Sequence, residues 1–298
     1  MPVAQLAVIG GSGFYQMEGV EDVEEARIST PFGEPSDAIT VGKLAGQRIA
    51  FLPRHGRGHR ISPSELNHRA NIFALKVLGV ERIISINACG SMREDIHPLD
   101  VVIPDQVFDW TRRRPSSFFG DGLVVHVGFA DPFCSDLSAV LYEAAREIVD
   151  RAPKEDGRER GPQIHRGGTY LCIEGPQFST RAESRIYRQW GVDVIGMTAM
   201  PEAKLAREAE ICYAALAFAT DYDVWHVTEE PVSVELVVLN LLKNVATAKE
   251  IVRLAAGRLY GDRRCGCATA LASAVITQRD LIPARMKDEL APLIGKYL

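Results

Sequence analysis

The chain has 298 residues, with 34 basic and 39 acidic side chains and a formal net charge of −5, a balance that disfavours nucleic acid or an anionic membrane surface as partner. Its 46% hydrophobic and 24% charged residues are ordinary for a globular protein with a sizeable core, and no apolar run reaches the ~18 residues that span a bilayer. The N-terminus "MPVAQLAVIGG" enters a strand-like run without the charged start or long apolar stretch of a targeting signal, so a cytoplasmic location is expected.

In chain order, "QLAVIGGSGFY", "RIAFLPRHGRGH", "ERIISINACGS", "TYLCIEGPQFST", "VDVIGMTAM" and "ICYAALAFATDYD" read as buried strands that run into loops. Helical spacing lies between them. It covers 63–79 (Ser62 as cap, Gly79 as stop), 135–152, 181–190, 201–210 and 232–259. In the last of these Val234, Val237, Val238, Leu241 and Leu242 share one face. The charged stretch 151–163 reads as a surface loop, not a domain linker. This alternation predicts an α/β fold: a single domain, 1–298, with a central mixed β-sheet flanked by helices and a helical extension over about 260–298.

In open α/β sheets ligands gather beyond the carboxyl ends of strands. Ser12, Arg54-His55, Asn87-Ala88, Phe178, Thr198 and Asp221 all fall at such ends, which predicts one composite pocket. "IGGSGFY" lacks both the G-x-G-x-x-G spacing and the Gly-Lys-Ser/Thr ending of a P-loop. It is either a simple turn or an anion cradle of backbone N–H groups with the Ser12 hydroxyl. "PRHGRGH" offers Arg54 and His55 to an oxyanion, and its glycines argue against a helix that would present His55 and His59 to a metal. Cys89 with His55 as base would be a nucleophile pair, although a small buried thiol is the stronger reading. Phe178, in a loop beside Ser179, is either core or a stacking platform for a flat heterocycle. Thr198, just before a proline-opened helix, either caps that helix or binds an anion.

The cysteines Cys89, Cys134, Cys172 and Cys212 read as buried reduced thiols. Cys265-Gly266-Cys267 is a local pair, either incidental or a redox-sensitive link, and by itself is not a zinc site, which needs two more ligands.

The blocks "IGGSGFY", "TPFGEPSD", "RHGRGH", "NHRANIFALK", "ACGSMREDIHPLDVVIPDQ", "IEGPQFSTRAES", "MTAMPEAKLAREAEICYA" and "TDYDVW", in this order, resemble the trimeric purine nucleoside phosphorylases from about residue 6 to 255. The resemblance implies a pentosyltransferase with no organic cofactor and no metal, using inorganic phosphate as co-substrate, assembled as a homotrimer or a dimer of trimers. It implies phosphate contacts at Ser12, Arg54, His55, Asn87, Ala88 and Thr198. Met197 would contact the ribose, Phe178 the base, and Ser179 and Val234 would help choose base and 5′ substituent. His126 would come from a neighbouring subunit. Asn87 departs from the threonine often found at this place in methylthioadenosine enzymes and is what 6-oxopurine relatives tend to have.

The opposed chemistry falls to "TDYD". A departing purine gains negative charge and leaves more readily with N7 protonated, which calls for a general acid. Asp221, under an apolar cover, is expected to have a raised pKa, with Asp223 orienting the same edge. A carboxylate suits the 6-amino group of adenine, whereas a 6-oxo purine wants a donor such as asparagine. Val234, Val237 and Val238 offer an apolar strip suited to a methylthio group. The expected reaction is therefore phosphate-dependent cleavage of S-methyl-5′-thioadenosine to adenine and 5-methylthioribose 1-phosphate, a step of purine and methionine salvage. The alternative is a sibling acting on inosine, guanosine or methylthioinosine.

Overall fold

The computed structural model describes residues 4–11, 17–151, 161–226, 233–259 and 261–298. The stretch 152–160 within the expected surface loop lies outside them. The centre of the molecule is a pair of ten-residue strands, β5 (Arg82–Ser91) and β11 (Cys212–Asp221), paired in parallel. Nearly every residue of both is buried, which is why they read as continuous apolar runs, not alternating ones. On β11 the side chains still divide by parity. Tyr213, Ala215, Ala217 and Ala219 join one core cluster, and Cys212, Ala214, Leu216 and Phe218 join the other.

The other strands build outward. β1 (Leu6–Gly10) lies between β5 and β4 (Gln47–Pro53), parallel to both. β2 (Glu21–Ala26) and β3 (Ile39–Leu44) extend that edge antiparallel. Beyond β11 come β6 (Val101–Ile103) and β8 (Ile164–Arg166). At the far end of β5, the short β10 (Val194–Gly196) pairs antiparallel with Gly90 and Ser91 and leads to β9 (Thr169–Ile173) and β7 (Gln106–Trp110). The sheet is mixed, as expected, and β5 serves two neighbours on one edge. Its pairing with β1 ends at Ser85 and its pairing with β10 starts at Gly90. Among the described residues, Ile86–Cys89 thus have no strand on that side, and the sheet opens where Asn87 and Ala88 stand.

Helices cover both faces. α2 (Ser135–Val149) and α5 (Val234–Ala256) contribute Leu137, Leu141, Ala248, Ile251 and Val252 to one cluster. α1 (His68–Val77) and α4 (Glu202–Glu208) bring Ile72, Leu75, Leu205 and Ala206 to the other. α3 (Arg181–Gln189) starts at Thr180, whose hydroxyl accepts from the Glu183 N–H at 3.2 Å in a reciprocal capping box.

Two expectations change. The helix expected over 63–79 splits into a 3-10 turn at Pro63–Glu65 and α1, because the Asn67 side chain accepts from the Ala70 N–H at 3.1 Å and restarts the helix there. The C-terminal extension is less helical than expected, with α6 (Ala284–Glu289), α7 (Ala291–Ile294) and 3-10 turns among loops. It packs as part of the domain, since Leu271, Leu290, Leu293 and Ile294 are buried in the cluster that holds α1 and α4.

Candidate active site

The "TDYD" carboxylates stand where β11 ends. Pairing with β5 runs in step to Ala219 opposite Cys89, then slips so that Asp221 faces Gly90. This bulge re-aims the last side chain of a buried strand. Gly90 makes room for it: a Cβ there would come within 3.0 Å of both Asp221 Oδ1 and the Ile195 side chain. Asp221 is 4% exposed. Its Oδ2 accepts from the Thr220 hydroxyl at 2.7 Å and its Oδ1 from the Asp223 backbone N–H at 2.7 Å. Burial raises its pKa to about 6, against the pull of those two hydrogen bonds and with help from the nearby Asp223 charge. Asp223 is also raised by burial, partly offset by the neighbouring Ser184 and Ser179 hydroxyls. Among the described residues, none of Asp223 Oδ2, Ser179 Oγ and Ser184 Oγ completes a hydrogen bond. Of these residues Asp223 and Ser179 line the cavity and leave unsatisfied buried polar atoms at one wall, a costly arrangement that a ligand's polar edge would relieve.

The second end of the site begins at Arg54, 1% exposed. Its Nε donates to Glu202 Oε1 at 2.6 Å, Nη2 to Ser85 Oγ at 2.7 Å and to Glu202 Oε2 at 3.2 Å, and Nη1 to the Ile86 carbonyl at 2.9 Å. Tyr213 also donates to Glu202 Oε2, at 2.9 Å. Burial opposes ionisation of both partners, but their mutual attraction raises Arg54 and lowers Glu202, so the pair is ionised. Arg54 thus brings little net charge to the cavity, and most of its donors are committed. His55 differs from its expected role as donor or cation. Burial, followed by the Arg54 charge, lowers its pKa to about 4. Its Nδ1 lies 2.8 Å from the Ile61 carbonyl, which can only accept, so the neutral ring carries its proton there and Nε2 is an acceptor. The Asn87 amide donates to Thr198 Oγ1 at 2.6 Å, which also lies 3.3 Å from the Tyr170 hydroxyl. Asn87 Oδ1 is buried without a partner among the described residues.

These two ends line one cavity of about 780 Å³, within the size range of small-molecule sites. Arg54, His55, Asn87, Ala88 and Thr198 border it, as do Asp221, Asp223, Phe178, Ser179 and Met197. Its apolar wall comes from Val237 and Val238, joined by Leu241 and Leu242 of α5. Phe178 is 43% exposed, so it is a cavity-rim aromatic and not core. The structure does not bring His126 to this cavity within one chain; the His126 backbone N–H instead donates to the Ala274 carbonyl at 2.9 Å. Ser12 lies outside the described residues, and so does the side chain of Val234, whose backbone opens α5.

The profile of the phosphorylase superfamily matches residues 5–256. The chain belongs to this superfamily. It is 55% identical over 294 residues to an S-methyl-5′-thioadenosine phosphorylase of Geobacter sulfurreducens, covering 98% of this chain and 99% of that one. It is 54% identical to the enzyme of the same name from Koribacter versatilis, covering 99% and 97%. Among solved structures, a methylthioadenosine phosphorylase from an antarctic soil metagenomic library superposes with a TM-score of 0.91 at 48% identity, covering 98% of this chain and 99% of that one. A Schistosoma mansoni methylthioadenosine phosphorylase in complex with adenine superposes with a TM-score of 0.81 at 37% identity, covering 93% and 100%.

For this phosphorylase, reading Cys89 as a nucleophile loses its chemistry. Burial pushes the thiol well above its ordinary pKa, so thiolate is not available near neutral pH. The His55 and His59 rings stack face to face with centroids 4.2 Å apart, in a loop where Gly56 and Gly58 take positive φ, and so do not form a helical ligand pair. Several residues that build the site escape sequence reading. Glu202 and Ser85 fix Arg54 across 148 and 31 positions of chain, and Thr220 tunes Asp221. Arg114 Nη1 donates to the carbonyls of Met197 at 2.7 Å and Met200 at 2.6 Å, and its Nη2 to Glu174 at 2.6 Å. It ties together the two loops that carry Phe178 and Thr198. The only local signal was the run "RRR" at 112–114.

Proposed function

We propose that the chain cleaves S-methyl-5′-thioadenosine with inorganic phosphate, giving adenine and 5-methylthioribose 1-phosphate. The observation that carries this reading is the pair Asp221 and Asp223 at one wall of the cavity, one carboxyl with a pKa near 6 and the other with an unsatisfied buried acceptor. Protonated Asp221 donates to purine N7 while carboxylate oxygens accept from the 6-amino group. A 6-oxo purine would set acceptor against acceptor on the same edge. Asn87 does not supply the missing donor there, because its amide is bound to Thr198 at the opposite end.

Phosphate binds at that opposite end. Thr198 and the remaining Arg54 N–H contact it, with Ala88, Asn87 and Ser12 beside it, and His55 Nε2 accepts from a phosphate hydroxyl. A phosphate oxygen forms a bond to the anomeric carbon as the glycosidic C–N bond breaks. The bonding pair leaves with the purine, and the Asp221 proton goes to N7, so that neutral adenine departs. Asp221 is reprotonated from solvent. Phe178 stacks on the base, Met197 and Ser179 border the nucleoside, and the valine and leucine wall of α5, with Val234 at its head, covers the 5′-methylthio group. His126 reaches this site from a neighbouring subunit of a homotrimer in the cytoplasm. Among the described residues no helix is long and apolar enough to cross a membrane.

The test compares phosphate-dependent release of adenine and hypoxanthine from matched nucleosides. Adenine release with formation of the sugar 1-phosphate is expected. Preference for hypoxanthine, or base release without phosphate, would overturn the reading.

A further inference from the structure

Four cysteines far apart in sequence meet at one point. Cys134 directly precedes α2, Cys212 opens β11, and Cys265 and Cys267 lie in the segment after α5. Their sulfurs all lie within 4.8 Å of one another, and those of Cys212 and Cys265 are 3.3 Å apart. Cys134 lies against each of the other three, and Cys212 and Cys267 also lie against each other. The contacts cross and do not fall into two separate pairs, and all four side chains are free thiols. The sequence offered only the local Cys265 and Cys267; the fold supplies the two further ligands that a closed tetrahedral site requires.

The dimensions suit an ion. Tetrahedral zinc–thiolate bonds of about 2.3 Å place the sulfurs about 3.8 Å apart, inside the span of this cluster. The surroundings suit thiolate. Cys134 occupies the N-cap of the 15-residue α2, at the positive end of the helix dipole. The backbones that carry the ligands are fixed independently. The Cys134 N–H donates to the Tyr213 carbonyl at 2.8 Å, and the Cys212 N–H to the Glu81 carbonyl at 2.9 Å. Arg263 Nη1 holds the third segment by donating to the Glu210 carbonyl at 2.6 Å.

We propose that Cys134, Cys212, Cys265 and Cys267 bind one zinc ion in a closed structural site that staples the C-terminal extension to the sheet. Binding replaces four S–H bonds with four Zn–S bonds and releases four protons, with no change of oxidation state. All four positions are filled by sulfur, so the ion takes no part in turnover. It sits at the start of β11, whereas Asp221 is at the end, roughly 30 Å away at the rise of an extended strand. The stapled extension continues to Ala274 and Ile276, which bond the backbones of His126 and Val124. This revises the expectation of a chain without metal, and it stands independently of the substrate reading.

The experiment uses the full chain, reduced, stripped of metal, given zinc or cobalt(II) alone, and then desalted. Retention of about one equivalent per chain is expected, with the intense visible bands of tetrahedral cobalt thiolate and a higher Tm. The double variant Cys265→Ser/Cys267→Ser is expected to lose retention, bands and the metal-dependent Tm gain while keeping its circular dichroism and turnover, and Cys172→Ala to keep all of them. Less than about a tenth of an equivalent on the wild-type chain overturns the site, as does equal retention by the double variant. Isolation of the zinc-supplied protein with the four sulfurs as two disulfides also overturns it.

Discussion

The Asp223 backbone N–H donates to Asp221 Oδ1 at 2.7 Å, so the two carboxylates of "TDYD" form one nested unit and not two independent side chains. Asp223 takes positive φ to make this contact, and its own side chain turns to the same cavity. The Thr220 hydroxyl holds the other oxygen of Asp221. Its proton affinity is thus set by burial against two donors and a neighbouring charge, each of which can be altered separately.

A general acid with a pKa of about 6 is active when protonated, so kcat/KM for the nucleoside should fall as pH rises through about 6. Asp221→Asn should lack that limb. The stability sign is opposite to that of a salt-bridged carboxylate. Because the folded pKa lies above the unfolded one, the charged form is penalised, and stability declines as pH rises from about 4 to about 6, then levels. At about 1.4 kcal/mol per unit the penalty is roughly 3 kcal/mol. Asp221→Asn should therefore melt higher than wild type above pH 6, with the difference shrinking toward pH 4. Tm measured across that range checks it.

Neighbours of Asp221 should move the limb in opposite directions. Thr220→Val removes a hydroxyl that lowers the pKa and should shift the limb to higher pH. Asp223→Asn removes a charge that raises it and should shift the limb to lower pH. Parallel pH profiles of kcat/KM decide this, and shifts of the same sign in both variants would refute the coupling.

Glu202 neutralises Arg54 where both are 1% exposed. Glu202→Gln should leave an uncompensated buried guanidinium and cost about 3–5 kcal/mol, the usual cost of breaking a buried pair. Urea unfolding of the variant measures it. A loss under about 1 kcal/mol would mean that the Ser85 hydroxyl and the Ile86 carbonyl suffice to hold Arg54.

The sequence made the central strands readable because β5 and β11 are buried on both faces and so appear as unbroken apolar runs. It did not reveal β2, whose residues "EDVEEA" are mostly exposed, nor the split at Asn67, where a single cap restarts the helix. In the site, Asp221 and Thr198 were legible because they stand at or just past a strand end, whereas Asn87 and Ala88, also expected at a strand end, stand in the middle of β5 and reach the cavity because the sheet opens beside them. His55 borders the cavity, but its tautomer depends on the Ile61 carbonyl six residues away, which the loop's sequence does not show. Glu202, Arg114 and the meeting of Cys134 and Cys212 with Cys265 and Cys267 depend on contacts across tens of residues, which no local pattern encodes.

The central claim is that Asp221 both protonates the leaving base and selects adenine. The direct measurement is the ratio of kcat/KM for an adenine nucleoside to that for its hypoxanthine counterpart, in wild type and in Asp221→Asn, with phosphate saturating. The ratio should be well above one in wild type. In the variant adenine cleavage should fall by roughly 10²–10⁴-fold, the usual contribution of a positioned general acid, and the ratio should collapse toward the 6-oxo purine. An unchanged ratio with adenine cleavage intact would contradict the account.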